Sequence, residues 1–200
     1  MKTTAAAQCD LNSALNAAHA FWVLAKPYFD EVPRENRRAK EFVMRTRGAF
    51  TAAATNVALS VELLLKTESI RCESPVLHTH DLRLLFDGLP RTSQDRVEQM
   101  YDAAIRSSSG KSAMMEIAVT RIPFPPKEAD LAAARKSLVR VKDLRSLLSA
   151  ECDAFETWRY FFTEGPTGPV AVFQSHFRSL GILADVLHRH IRDASKPKRA

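Results

Sequence analysis

The stretch that decides the fold is AFTAAATNVALSVELLL, residues 49–65. Apolar residues repeat along it at helical spacing, and further leucines and valines extend the apolar surface almost all round the axis. The stretch contains no proline and no glycine. Because a helix that is apolar on nearly every side is buried by its neighbours, the sequence predicts that this stretch is the central helix of a bundle.

Prolines, glycines and capping residues divide the rest of the chain into further helices. A first helix is predicted from about Asp10 to the residues before Pro27, and a third from near His80–Asp81 to Gly88. Ser93 is predicted to be the N-cap of the next helix. The predicted helices cover approximately residues 10–26, 35–67, 80–87, 93–105, 126–162 and 170–191.

Two segments leave alternatives open. Residues 113–122 fit either a helix or an extended arm, and the helix that starts at Pro126 is predicted to break near Ser149–Asp153. The sequence thus predicts an all-α fold, a bundle of five to seven helices. We expect one domain over residues 1–194, followed by a basic disordered tail over residues 195–200.

The composition is that of an ordinary globular protein. Of the 200 residues, 46% are hydrophobic and 26% charged, which excludes collagen-like, mucin-like and wholly disordered chains. The three cysteines are odd in number and far apart, so a disulfide framework is not expected. No signal peptide or membrane span is predicted. These features indicate a cytoplasmic protein that does not enter a membrane.

Basic residues are concentrated in three segments of a chain whose net charge is +6. Residues 31–50 hold six basic against three acidic residues, while residues 135–145 and 186–200 each hold five against one. Such segments favour a polyanion such as RNA, although solvated helix faces have the same composition. The candidate phosphate-binding residues are Arg37, Lys40, Arg47, Arg135, Arg140 and Lys142.

Glu62 is the only charged residue between positions 49 and 65. A buried carboxylate needs a partner or takes up a proton. Lys66 lies four residues further along the helix, which is the favoured Glu-to-Lys orientation, and His80 and Arg83 are the other candidate partners. The sequence therefore predicts one of two arrangements. Either Glu62 forms a polar pair that fixes helix packing, or Glu62, Lys66, His80 and Asp81 form a polar pocket at one end of the bundle.

The sequence predicts no cofactor and no metal site. Residues 109–112 read Ser-Gly-Lys-Ser, but Ile105 stands where a phosphate-binding loop needs glycine. The cluster of possible zinc ligands has no familiar spacing and lacks a second pair; it consists of Cys72, His78, His80 and Asp81. His188 and His190 lie about 200° apart on a helix, so they are predicted to be solvated rather than to share a ligand.

Three segments resemble the HEPN superfamily, in particular its longer bacterial members found near mobile elements and phage-defence genes. They are ALSVELLLK at 58–66, HDLRLLF at 80–86 and FETWRYFF at 155–162. The resemblance implies an all-α bundle, commonly a homodimer, and a link to RNA. Many members are metal-independent ribonucleases that act as toxins or defence effectors. Their activity rests on an arginine followed, after four to six residues, by a histidine on a late helix.

The chain departs from this pattern at the motif that carries the activity. Arg159 stands where the resemblance places the arginine of this motif. Residues 160–169, however, contain no histidine. The only pair with the required spacing is Arg71 and His78, in the loop before the third helix. The candidate catalytic residues are therefore this pair, or Arg159 with the polar pocket formed by Glu62, Lys66, His80 and Asp81.

We therefore expect an atypical HEPN-like protein that binds RNA or a partner protein in a toxin–antitoxin or phage-defence system. The alternatives are an active metal-independent ribonuclease toxin and a purely structural helical dimerisation module. The expected partners are a second copy of the chain, RNA, and a protein encoded nearby.

Overall fold

The computed structural model describes the backbone of residues 5–27, 40–107, 115–120, 141–160 and 170–195. Side chains are described at 11–27, 51–107, 141–157 and 175–195. Several sequence predictions lie outside these ranges: the helix start at Pro126, the basic positions Arg37, Arg135 and Arg140, and the last five residues of the tail.

The described residues form an all-α bundle with seven helices and one short two-stranded ribbon. The helices are α1 (Ala5–Ala25), α2 (Lys40–Arg71), α3 (Leu82–Asp87), α4 (Arg91–Ser107), α5 (Leu144–Ala150), α6 (Ala154–Tyr160) and α7 (Phe177–Ala194). The strands are β1 (Met115–Thr120) and β2 (Val170–Ser175). No helix within the described ranges is long and apolar enough to cross a membrane.

Helix α2 is the centre of the bundle, as its sequence predicts. It packs against α1, α7 and α6. The side chains of Val57, Val61, Leu64 and Leu65 are completely excluded from solvent. Because α2 is covered on several sides, its buried carboxylates need partners inside the protein.

Helices α1 and α7 approach each other closely at one glycine. The Trp22 ring lies against Gly181, and a Cβ atom at that position would overlap the ring. The Trp22 indole Nε1 donates a hydrogen bond of 2.7 Å to Asp185. The absence of a side chain at Gly181 therefore allows α1 to dock on α7.

The start of α3 and the break after α5 confirm two sequence predictions. Asp81 is the N-cap of α3, where its carboxylate accepts a hydrogen bond from the Leu84 amide, and Gly88 is the C-cap. Helix α5 ends at Ala150 and α6 starts at Ala154, so the predicted break lies where the sequence places it.

The prediction that Ser93 is the N-cap of the fourth helix is wrong. Helix α4 begins at Arg91, and Ser93 lies buried inside its first turn. Its hydroxyl is bonded to a side chain of another helix instead of to its own backbone. Pro90 directly precedes α4, and the Ser93 and Gln94 amides donate to its carbonyl.

The predicted start of the last helix is also wrong, because residues 170–175 form strand β2. This strand pairs antiparallel with β1, from Met115 opposite Ser175 to Thr120 opposite Val170. The segment VAVFQS is rich in β-branched and aromatic residues, which favour extended structure when a partner strand is present. The pairing also selects the extended alternative for residues 115–120.

Candidate functional site

Glu62 and its partners form the polar site that the sequence predicts on α2. The Glu62 side chain is only 3% exposed. Its Oε1 accepts a hydrogen bond of 2.7 Å from Lys66 Nζ, and its Oε2 lies 3.0 Å from His80 Nδ1. The buried carboxylate is therefore matched by one cation of its own helix and one imidazole from the segment before α3.

His80 is the most accessible member of this site. Its side chain is 44% exposed, whereas that of Lys66 is 22% exposed. The imidazole lies against the Phe155 ring of α6, with 5.2 Å between the ring centroids. No described residue forms a hydrogen bond with Nε2 of His80. Glu62 and Phe155 thus fix the ring, while nearly half of the His80 side chain stays accessible.

The carboxylate at Nδ1 determines what this imidazole can do chemically. When a carboxylate accepts a hydrogen bond from Nδ1–H, the neutral ring carries its free lone pair on Nε2. Through Nε2, such a ring can accept a hydrogen bond or a proton from a molecule at the surface. The arrangement therefore suits recognition of a polar ligand or proton transfer.

Asp81 and Arg83 contribute to the neighbouring structure and not to the Glu62 contacts. The Asp81 carboxylate caps α3, and its amide donates to the Thr79 hydroxyl. Arg83 lies 3.7 Å from Asp87 on its own helix. Of the four predicted pocket residues, the described contacts thus join Glu62, Lys66 and His80.

The Arg71 guanidinium binds another carboxylate. Its Nε and Nη2 each lie 2.7 Å from an oxygen of Glu68. His78 is exposed in the loop between α2 and α3. Arg71 already forms a bidentate ion pair with Glu68. It could act in catalysis with His78 only if this ion pair broke.

Glu68 is the centre of a second polar cluster, which sequence reasoning missed. The carboxylate is fully buried and accepts hydrogen bonds from Arg71 and from the Ser93 hydroxyl of α4. His190 of α7 completes the cluster, with its Nε2 2.9 Å from Glu68 Oε1. One carboxylate therefore joins three helices.

These residue types are those of a serine hydrolase triad, but their connections differ. In a triad, one imidazole nitrogen faces the acid and the other faces the serine. Here Nε2 of His190 faces both Glu68, at 2.9 Å, and Ser93, at 3.3 Å. The Ser93 hydroxyl itself donates to Glu68, so this cluster stabilises the bundle and does not activate a nucleophile.

The prediction that His188 and His190 are both solvated is wrong. His190 is only 10% exposed because it faces Glu68. His188 stacks on His19 of α1, with ring centroids 3.9 Å apart.

Helix α2 continues to Arg71, beyond the predicted end at Thr67. The signal for the Glu68 cluster was the Glu-x-x-Arg spacing that this extra turn places inside the helix.

A third buried carboxylate–imidazole pair joins Glu151 to His176. Both side chains are nearly inaccessible, and the Glu151 carboxylate lies 2.8 Å from both the backbone nitrogen and Nδ1 of His176. Burial raises the pKa of Glu151, although the His176 contacts act against it. The pair connects the α5–α6 break to the junction of β2 and α7.

The remaining predicted site residues can be placed only in part. Lys142 is exposed just before α5. Lys40 and Arg47 belong to α2, and Arg159 belongs to α6 one turn beyond Phe155, but their side chains lie outside the described set. Across the described residues, no three histidine, cysteine or acidic side chains are grouped so that they could hold a metal ion.

Comparisons of the sequence with protein-family models, with curated proteins and with solved structures found no significant match.

The Glu68 cluster predicts how stability depends on pH. Burial alone would raise the pKa of Glu68, but hydrogen bonds from Arg71, His190 and Ser93 outweigh it and lower the pKa from 4.5 to about 2. The ionised form therefore contributes about 3 kcal/mol to the free energy of unfolding at neutral pH. We expect this contribution to be lost as the pH falls from about 4.5 to about 2.

Urea unfolding of the wild type and of Glu68→Gln between pH 7 and pH 2 checks this expectation. The difference in unfolding free energy between the two proteins should shrink as the pH falls. Glu156→Gln, at an exposed position of α6, is the matched control and should follow the wild type. A Glu68→Gln variant that stays equally far below the wild type at every pH would contradict the assignment.

Proposed function

We propose that this chain is an atypical HEPN-like protein that binds RNA, with the polar site of Glu62, Lys66 and His80 contacting the nucleic acid. The observation that carries the proposal is the exposed imidazole and the partly exposed ammonium group held by one buried carboxylate. Groups fixed in this way bind a ligand without a further loss of side-chain freedom.

The positions of the resembling segments support the proposal. Lys66 ends the first segment, His80 starts the second, and Phe155 starts the third. The His80 ring contacts Phe155, and the Leu82 amide donates to the Cys152 carbonyl just before α6. The three segments therefore meet at the polar site of Glu62, Lys66 and His80.

The excess of basic residues supplies the electrostatic part of the proposal. Phosphate contacts from lysine and arginine dominate the affinity of proteins for nucleic acids. We assign this role to the candidate phosphate-binding residues of the basic segments 31–50 and 135–145. The resemblance further leads us to propose a cytoplasmic homodimer in a toxin–antitoxin or phage-defence system, with a protein partner encoded nearby.

RNA binding by the wild type is expected to weaken steeply as salt increases, because each bound phosphate releases a counterion. Charge reversal at Arg47 or Arg140 should reduce the slope of log K against log salt by roughly 1 for each phosphate that the variant no longer binds. Fluorescence anisotropy of a labelled RNA from low to moderate salt measures both effects.

Arg91→Glu is the matched control, since Arg91 is exposed and already pairs with Asp95 at 3.0 Å on the surface of α4. This variant changes the net charge equally and should leave the slope close to that of the wild type. An RNA affinity that does not change with salt would overturn the proposal. No binding even at low salt would favour the structural dimerisation module.

A ribonuclease is the second candidate function, and the contact between His80 Nδ1 and Glu62 favours it. Nε2 of His80 would take the proton of a ribose 2′-hydroxyl, and the 2′-oxygen would bond to the adjacent phosphorus. The bond from phosphorus to the 5′-oxygen would break, and that oxygen would leave with a proton from solvent. Arg159 would stabilise the charge on the phosphorane, as the resemblance implies.

A cleavage assay with EDTA present tests this candidate on end-labelled RNA. If His80 is the base, His80→Ala should slow cleavage by about 100-fold or more, and His78→Ala should cleave like the wild type. Loss of cleavage in His78→Ala instead would point to the Arg71 and His78 pair. A wild type that binds the RNA without cutting it would remove the ribonuclease and leave the binding function.

A further inference from the structure

We infer that the RNA site receives an unpaired nucleotide whose base stacks on the imidazole of His80. This inference rests on the proposed function and specifies the class of RNA. Three observations lead to it: the exposure of the ring, the groups that hold it, and the ammonium group beside it.

The His80 ring has the properties of a rigid stacking surface. Nδ1 of the His80 ring contacts the Glu62 carboxylate, and the Phe155 ring lies against the imidazole. Even so, 44% of the His80 side chain remains exposed. Phe155 itself is only 8% exposed, so it supports the imidazole and is not available to a ligand. The remaining surface of the ring is the part that a base can reach.

Lys66 is placed to bind the phosphate of the same nucleotide. Its ammonium group and the His80 ring contact the two oxygens of one carboxylate, so they lie side by side. Single-stranded nucleic acids are commonly bound by this combination of a π surface and a neighbouring cation. The carboxylate keeps both groups in position before the RNA arrives.

A duplex does not fit this arrangement. In A-form RNA the bases are stacked within the helix, and proteins that recognise it contact 2′-hydroxyls and phosphates across a long stretch of minor groove. A single imidazole at the surface can stack only on a base that is free to leave the stack. The geometry therefore favours single strands, loops and ends.

Binding of a labelled single-stranded RNA and of the same strand annealed to its complement tests the inference. At equal salt, the wild type should bind the single strand about tenfold more tightly than the duplex. His80→Phe keeps a flat ring and should retain most of this affinity, whereas His80→Ala should lose about tenfold. Circular dichroism and thermal melting show whether each variant is folded.

The outcomes separate this inference from the function on which it rests. Equal affinity for duplex and single strand would overturn the stacking inference while leaving RNA binding intact, and this result needs no variant. A folded His80→Phe that binds as weakly as His80→Ala would also overturn it, because the imidazole would then be acting through a hydrogen bond. Absence of binding to either RNA would overturn the proposed function itself.

Discussion

The buried acids of the central helix are the constraint on which the rest of this structure depends. Helix α2 carries Glu62 and Glu68 at positions that its neighbours close off from water. Each is matched in the same manner, by a cation on α2 itself and by a histidine from another part of the chain. Removing a partner leaves the buried charge less well compensated, which destabilises the fold.

The two acids lie six residues apart and so face different neighbours. Glu68 connects α2 to α4 and α7 through a carboxylate that is closed to solvent, and its role is to fix how these helices pack. Glu62 connects α2 to the start of α3, beside α6, and its histidine partner reaches the surface. The same chemistry therefore serves stability at one position and an accessible site at the other.

The sequence predicts those parts of the fold that depend on local patterns. The burial of α2 follows from its apolar periodicity, and the Glu62–Lys66 pair follows from spacing within one helix. The caps of α3 and the break between α5 and α6 are equally local. His80 could be named as a candidate partner of Glu62 because a buried carboxylate needs hydrogen-bond donors from nearby segments.

The missed features depend on contacts between distant parts of the chain. Strand β2 forms because β1, more than fifty residues earlier, supplies its hydrogen bonds, and VAVFQS alone is compatible with a helix. Ser93 has the composition of an N-cap, but its hydroxyl binds Glu68 instead. The position of His190 near a helix end predicts a solvated side chain, but its environment is set by Glu68 of α2.

The protonation of His80 tests the central claim most directly. Long-range proton–nitrogen NMR correlations of the wild-type protein report which ring nitrogens of His80 carry a proton. If the buried Glu62 carboxylate is matched as described, Nδ1 of His80 carries a proton. A proton on Nε2 with none on Nδ1 would contradict the account.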